Sequence, residues 1–132
     1  MKPIVQEDAY GCGVACVANI LGITYQEALN FFENGGEKAS SIGFYCKEFL
    51  PVFRINQLSY EYKYIKPKLK NKIYINKTIV YLRKSKKYPA GHYLCRIDNK
   101  WLDSWINFPD IDRKSGYRKR LPEKPIYIIY PN

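Results

Sequence analysis

The stretch QEDAYGCGVACVANILG, residues 6–22, decides how the N-terminal half of this chain folds. Its apolar residues run up to Gly22, a typical helix-ending residue, and so the stretch predicts a helix that starts near Cys12. A thiol at a helix N-terminus faces unpaired backbone N–H groups and the positive end of the helix dipole. Both stabilise thiolate over thiol, which makes Cys12 a candidate nucleophile.

The chain contains one histidine, His92, in the segment GHYLC at residues 91–95. A cysteine nucleophile is commonly activated by a neighbouring base. Because no other imidazole is available, any chemistry that pairs cysteine with histidine must use His92.

Length and composition indicate one globular domain that spans residues 1–132. Apolar residues make up 46% of the chain, which argues against disorder. No apolar run approaches the roughly 20 residues that a membrane span needs, and the N-terminus has no apolar signal-peptide core. We therefore expect a cytoplasmic protein with no membrane partner.

The four cysteines do not suggest a disulfide framework, which is typical of smaller and more cysteine-dense secreted chains. Cys12 and Cys16 are one helical turn apart, and Cys46 and Cys95 lie in apolar runs. We expect reduced thiols, three of them simply buried. A zinc site built from these cysteines and His92 is an alternative, although no Cys-x-x-Cys pair is present. We expect no metal and no other cofactor.

The formal net charge is +10, and the basic residues concentrate at 63–77, 84–87 and 113–120. Tyrosines are interleaved with them, as on some surfaces that bind nucleic acid. A solvated basic face is the simpler interpretation, and an acidic partner or substrate is the other.

The first half of the chain predicts helices. Thr24 and Glu27 form a capping-box pattern, and we expect the helix that it starts to end at the glycines of residues 35–36. A serine cap at residues 40–41 predicts a third helix that continues until Pro51 stops it.

The second half is rich in β-branched and aromatic residues, which favour strands. We expect strands at residues 72–75, 78–83, 92–97, 101–105 and 126–130, a polar loop at 84–90 and a tight turn at 98–99 or 99–100. Helices followed by an antiparallel sheet predict an α+β fold.

The predicted hairpin provides a geometric test for a catalytic acid. Side chains alternate across a strand, so an even-length turn places His92 and Asp103 on one face of the sheet. With residues 98–99 as the turn, Leu94 lies opposite Asp103 and His92 is its diagonal neighbour, with Cα atoms about 7–8 Å apart. Asp103 then orients the imidazole, whose other nitrogen is aimed at Cys12. The simpler alternatives are a structural histidine and an aspartate that starts a turn.

The order of these residues resembles the bacteriocin-processing peptidases that remove double-glycine leaders, a family of papain-like cysteine peptidases. The resemblance covers most of the chain and is carried by Gln6, Cys-Gly-Val-Ala-Cys at 12–16, Gly-His-Tyr at 91–93, and Asp103. It implies a papain-like fold, with the nucleophile at the start of the first helix and the helices packed on a C-terminal antiparallel sheet. Asp103-Ser104-Trp105 is also similar to the Asn-Ser-Trp element of the wider papain-like group, whose tryptophan shields the polar triad from water.

The resemblance implies a peptidase that acts on a protein or peptide substrate. Cys12 would be the nucleophile, His92 its base and Asp103 the residue that orients His92, while Gln6 would help to form the oxyanion hole. Isopeptide cleavage, deamidation and acyl transfer use the same apparatus. The sequence departs from the family at Gly11, where aspartate is usual, and it has no segment like the membrane transporters fused to the best-known members.

Four aromatic residues are candidates for the walls of a substrate cleft: Tyr10, Tyr93, Trp101 and Trp105. We interpret Asn107 as a loop residue. The alternative function is a non-catalytic binding module on the same fold, which would grip nucleic acid or an acidic protein with its basic, tyrosine-rich face. Such a module predicts salt-sensitive binding that survives Cys12→Ala.

Overall fold

The computed structural model describes residues 3–104 and 116–132, in which helices come first and an antiparallel sheet follows. The α-helices are α1 (Cys12–Leu21), α2 (Tyr25–Phe31), α3 (Gly35–Ser41) and α4 (Phe49–Ile55), and short 3₁₀ helices span Cys46–Glu48 and Pro67–Tyr74. The strands are β1 (Tyr60–Tyr64), β2 (Ile79–Leu82), β3 (His92–Ile97), β4 (Lys100–Asp103), β5 (Gly116–Arg118) and β6 (Pro125–Pro131). The predicted α+β class is confirmed.

The described strands form one sheet in the order β1-β6-β2-β3-β4-β5, with every neighbouring pair antiparallel. The last of these strands in sequence, β6, is therefore an interior strand that lies between β1 and β2. Its apolar residues Ile128 and Ile129 are accordingly fully buried, one toward each face. This arrangement brings the C-terminal end of the chain beside strands that precede it by more than forty residues.

Helix α1 lies against β3 at the centre of the larger of two apolar cores. Its residues are buried from Gly13 to Ile20, and Gly22 ends it in the left-handed conformation (φ 69°) that glycine adopts without strain. A Cβ on Gly13 would lie 2.5 Å from the Phe49 ring, so glycine allows the close approach of α4. In the described part of the chain no single helix is long and apolar enough to cross a membrane. Helices α1 and α2 pass that test only as a pair bent by 107°.

The hairpin of β3 and β4 follows the prediction. Asp98 and Asn99 form its two-residue turn, and both have positive φ (47° and 68°), as a type I′ turn requires. Cys95 pairs with Leu102, a register that puts Asp103 across from Leu94. The turn therefore sets His92 and Asp103 on one face of the sheet.

The predicted third helix is wrong. Helix α3 ends at Ser41, Gly43 breaks the chain direction with φ 82°, and α4 begins only at Phe49. Pro51 lies inside α4 rather than after it. It occupies the first helical turn, where the N–H that proline lacks has no intrahelical acceptor in any case.

The glycines of residues 35–36 start α3 instead of ending α2, which already stops at Phe31. A Cβ on Gly35 would lie 2.4 Å from the Leu29 carbonyl oxygen, and so glycine is required by the close passage of α3 beside the end of α2. The capping box on α2 is confirmed, because Thr24 and Glu27 each accept the other's backbone N–H at 3.1 Å.

The strand predicted at residues 72–75 is also wrong, because the chain there ends the 3₁₀ helix Pro67–Tyr74. Only Ile73 of that helix is buried. Its β-branched and aromatic residues therefore provide one buried contact and do not form the buried face of a strand. Strand β1 lies outside the predicted strands, although its tyrosines alternate with charged residues at the period of a strand.

Candidate active site

Cys12 is the first residue of α1, and Gly11 before it provides no side-chain cap. Its sulfur accepts a hydrogen bond from the backbone N–H of Tyr93 at 3.4 Å. Tyr93 directly follows His92, so the start of β3 lies across the N-terminus of α1. The fold thus brings the candidate nucleophile and the chain's one histidine together.

The imidazole of His92 is fully buried and is held on two sides. Its Nε2 lies 2.8 Å from Oδ1 of Asp103, the pairing that the two-residue turn predicts. The ring of Tyr88 stacks on the imidazole, with ring centroids 4.6 Å apart and an angle of 10° between the planes. The hydrogen bond fixes the direction of the ring, and the stacked tyrosine covers one of its faces.

Asp103 has a second cationic partner that the sequence did not reveal. The Nε–H of Arg118 donates to Oδ2 of Asp103 at 2.7 Å, while the Asp103 side chain is fully buried. Arg118 lies on β5, diagonal to Asp103 across the β4–β5 pair. Each carboxylate oxygen therefore has a charge-assisted hydrogen bond of its own, which orients the group on both sides.

The surroundings of His92 favour its protonated form. Burial lowers its pKa, but the negative charge of Cys12 and hydrogen bonds to Asp103 and Cys12 raise the pKa to about 9. At neutral pH the folded protein therefore holds a buried imidazolium between a carboxylate and a cysteine sulfur. A protonated imidazole beside a cysteine sulfur is one of the surroundings that make a cysteine nucleophilic.

Gln6 is buried close to the end of β4, where it braces the segment that leads to Cys12. Its side-chain nitrogen donates to the carbonyl oxygens of Asp8 (2.9 Å) and Ala9 (3.1 Å), and its side-chain oxygen accepts from the Ser104 hydroxyl at 3.2 Å. The amide thus links the loop before α1 to the strand that carries Asp103. Its role in an oxyanion hole stays a prediction.

A cleft with a volume of about 640 Å³ opens beside Cys12 and His92. This volume falls within the roughly 300–1,000 Å³ of typical ligand sites. Tyr10 and Tyr93 line the cleft as expected. Trp101 is instead buried in the smaller core, on the face of the sheet away from Tyr93. Trp105 and Asn107, for which a cleft wall and a loop are predicted, lie outside the described residues.

The other three cysteines, like Cys12, form no disulfide, but their surroundings differ from those of Cys12. Cys16 and Cys95 are buried, whereas Cys46 is only half-buried and lines the cleft, so the expectation that it is simply buried is wrong. Burial raises the pKa of the Cys16 and Cys46 thiols, which makes them poor nucleophiles at neutral pH. In residues 3–104 and 116–132 no three histidine, cysteine or acidic side chains converge as a metal site.

The packing around position 11 explains why glycine, rather than a larger residue, occupies it. A Cβ at this position would lie 2.0 Å from the hydroxyl of Tyr25, which is buried and donates a hydrogen bond to Asp8 at 2.8 Å. The aspartate that the resembling family carries here does not fit beside Tyr25. Sequence patterns gave no signal for this contact, nor for Tyr88 and Arg118, which lay in segments interpreted as a polar loop and a basic face.

We predict that iodoacetamide at neutral pH alkylates Cys12 before the other three cysteines. Its sulfur lies at a helix N-terminus, in a cleft and beside an imidazolium, whereas the others are buried or have a raised thiol pKa. Peptide mapping by mass spectrometry after limited alkylation measures the order. His92→Asn should slow the reaction at Cys12 and leave that at Cys46 unchanged. Equal rates at Cys12 and Cys46 in the parent protein would contradict the assignment.

We predict that Arg118→Met lowers the free energy of unfolding by about 1.5–3 kcal/mol, because a buried carboxylate loses a charged donor. The variant should also slow the alkylation of Cys12 in the folded protein, because Asp103 then holds His92 less firmly. Arg83→Met is the matched control: its pair with Glu123 (2.9 Å) is screened by solvent, so the substitution should change the free energy of unfolding little. Loss of stability with an unchanged alkylation rate would make Arg118 a purely structural residue.

Comparisons with known proteins do not assign this chain to a family. They find no family model, no curated protein and no solved structure that matches it. The α+β class and the geometry around Cys12 therefore stand on the structure itself. A papain-like placement and a catalytic activity are proposals, supported by that geometry and by the resemblance of the motifs.

Proposed function

We propose that this protein is a papain-like cysteine hydrolase, and specifically a peptidase. The observation that carries the proposal is the position of its one histidine: His92 is hydrogen-bonded to Asp103 at 2.8 Å and has its pKa raised by Cys12. A nucleophile, a base and a carboxylate that orients the base form the triad that catalyses covalent acyl transfer on several unrelated folds. The cleft beside Cys12 provides room for a substrate.

Catalysis would begin from the Cys12 thiolate and the His92 imidazolium. The sulfur attacks the carbonyl carbon of the scissile bond, the C–S bond forms, and the carbonyl electron pair moves to oxygen. The backbone N–H of Cys12 is one of the orphan donors of the helix N-terminus and can stabilise that oxyanion.

The tetrahedral intermediate then collapses and the C–N bond breaks. His92 gives its proton to the leaving amine, and the acyl group remains on Cys12 as a thioester. A water molecule, losing its proton to His92, attacks the thioester and releases the carboxylic acid and the thiolate. Throughout both steps Asp103, held in turn by Arg118, keeps the ring oriented.

Gln6 would contribute the second donor of the oxyanion hole. Its amide nitrogen now donates to the carbonyls of Asp8 and Ala9, so this role requires it to exchange one of those bonds for the substrate oxygen. The position of Gln6, buried on the loop that leads into Cys12, supports the proposal that it lies within reach.

The second candidate is a binding module that uses the basic face. All six lysines between residues 63 and 77 are exposed, which favours an acidic partner or solvent over a structural role. Binding through them would weaken strongly with salt and would survive Cys12→Ala. The buried charges around His92 have no use in such a module, and for this reason we favour the hydrolase.

We predict that the protein cleaves members of an internally quenched peptide library, and that Cys12→Ala and His92→Ala abolish cleavage. The activity should fall as pH rises through about 9, because the folded protein loses the His92 imidazolium there and with it the general acid. Fluorescence increase across a pH series measures this. Cleavage that persists in Cys12→Ala would refute the proposed mechanism.

Substitution of Gln6 separates its two possible roles. If its amide stabilises the oxyanion, Gln6→Ala lowers kcat about 10²–10³-fold and leaves the alkylation rate of Cys12 unchanged. Loss of the bracing hydrogen bonds lowers the melting temperature in either case, but if the amide only braces the loop, alkylation of Cys12 slows as much as kcat falls. We expect the first result, measured by peptide cleavage, iodoacetamide labelling and thermal denaturation.

A further inference from the structure

Four tyrosines lie in one row across the sheet. Tyr64 pairs with Tyr127, Tyr127 with Tyr81, and Tyr81 with Tyr93, so the row crosses four adjacent strands from the edge strand β1 to β3. Consecutive ring centroids are 5.7, 6.4 and 4.9 Å apart. We call these four residues the tyrosine row.

The tyrosine row ends at the candidate nucleophile. The backbone N–H of Tyr93 contacts the Cys12 sulfur, and exposure rises away from it, from 5% at Tyr93 to 57% at Tyr64. Tyr93, Tyr81 and Tyr127 line the cleft, and Tyr64 extends the row to the sheet edge. The floor of the cleft is therefore an aromatic track that leads from the surface to Cys12.

The rings along this track are tilted rather than parallel. The planes of consecutive rings meet at 84°, 51° and 53°. Nucleobases bind aromatic residues by stacking face to face, for which such a surface is poorly arranged. Apolar and aromatic side chains, in contrast, pack well against ring edges and in the slots between tilted rings.

The charge of the cleft is one-sided. Lys47 and Lys84 line it, and no carboxylate is among its described lining residues. Lys84 is exposed on the loop that leads to His92. Such a site attracts a negatively charged ligand and repels a positively charged one.

We propose that the tyrosine row is the substrate-binding subsite of this enzyme, and that it selects peptides with aromatic or large apolar side chains next to acidic residues. The proposal rests on the proposed peptidase function. Four strands spaced by about 4.8 Å make a row roughly 14 Å long, which accommodates about four residues of an extended peptide. The apolar side chains enter the slots between rings, and the acidic side chains lie near Lys47 and Lys84.

The first arm of the test measures cleavage. The substrates are internally quenched peptides. Those that carry an apolar residue (Phe or Leu) next to an acidic residue (Asp or Glu), both on the same side of the scissile bond, should be cleaved fastest. Tyr64→Ala and Tyr127→Ala should each lower kcat/KM for them about threefold to tenfold. Lys84→Glu should lower it on the order of fivefold and should favour peptides in which Lys replaces the acidic residues. No variant should change the alkylation rate of Cys12.

Two substitutions serve as matched controls. Tyr74 is as exposed as Tyr64 (56% against 57%) but is not part of the tyrosine row, and Lys86 shares the exposed loop of Lys84 without lining the cleft. Tyr74→Ala and Lys86→Glu should leave kcat/KM unchanged. Effects equal to those of Tyr64→Ala and Lys84→Glu would overturn the assignment of the row.

The second arm measures binding without catalysis. Cys12→Ala is titrated with a fluorescent acidic aromatic peptide, with its Lys-substituted counterpart and with a single-stranded oligonucleotide. The acidic peptide should bind most tightly, and Tyr127→Ala should weaken it. Tighter binding of the oligonucleotide, or no preference between the peptides, overturns the proposal. If cleavage depends on Cys12 but shows no sequence preference, only the proposal for this subsite is overturned. If Cys12 is unreactive and no peptide is cleaved, the peptidase function itself is overturned.

Discussion

The hydrogen bond between His92 and Asp103 is the interaction on which the rest of the site depends. It joins the first residue of β3 to the last residue of β4, and its existence follows from the two-residue turn between those strands. A turn longer by one residue would move Asp103 to the opposite face of the sheet. Because β3 also lies across the N-terminus of α1, the same strand presents the oriented imidazole to Cys12.

Because the charged groups of Asp103 and His92 are buried, the cluster is stable only when each of them has its partner. Asp103 lies between the Arg118 guanidinium and the His92 imidazole, and the side chains of Asp103 and His92 are fully buried. Buried ions contribute little net stability even when they are paired, but loss of one partner leaves an uncompensated charge and is costly. The cluster therefore supports the proposed catalytic role better than a role in stability. Tyr88 contributes by covering the ring from one side.

Structural elements that depend on neighbouring residues can be predicted from the sequence, whereas contacts between distant segments cannot. The helix at Cys12, the capping box of Thr24 and the hairpin could be read from residue order, because each depends on neighbours only a few positions apart. Pro51 and Gly35 were misinterpreted because the packing between helices, rather than local propensity, decides their roles. Arg118 and the tyrosine row could not be anticipated, since both depend on which strands are neighbours in the sheet and β6 lies between β1 and β2.

The central claim is that the one histidine of the chain is an imidazolium stabilised by the Cys12 thiolate, and NMR tests it directly. In protein labelled with ¹⁵N at histidine, the two ring nitrogens of His92 give unobscured signals that report its protonation across a pH titration. We expect both nitrogens to remain protonated until pH approaches about 9 in the parent protein, and to lose a proton at lower pH in Cys12→Ala. A neutral imidazole at pH 7, or a titration unaffected by Cys12→Ala, would contradict the account.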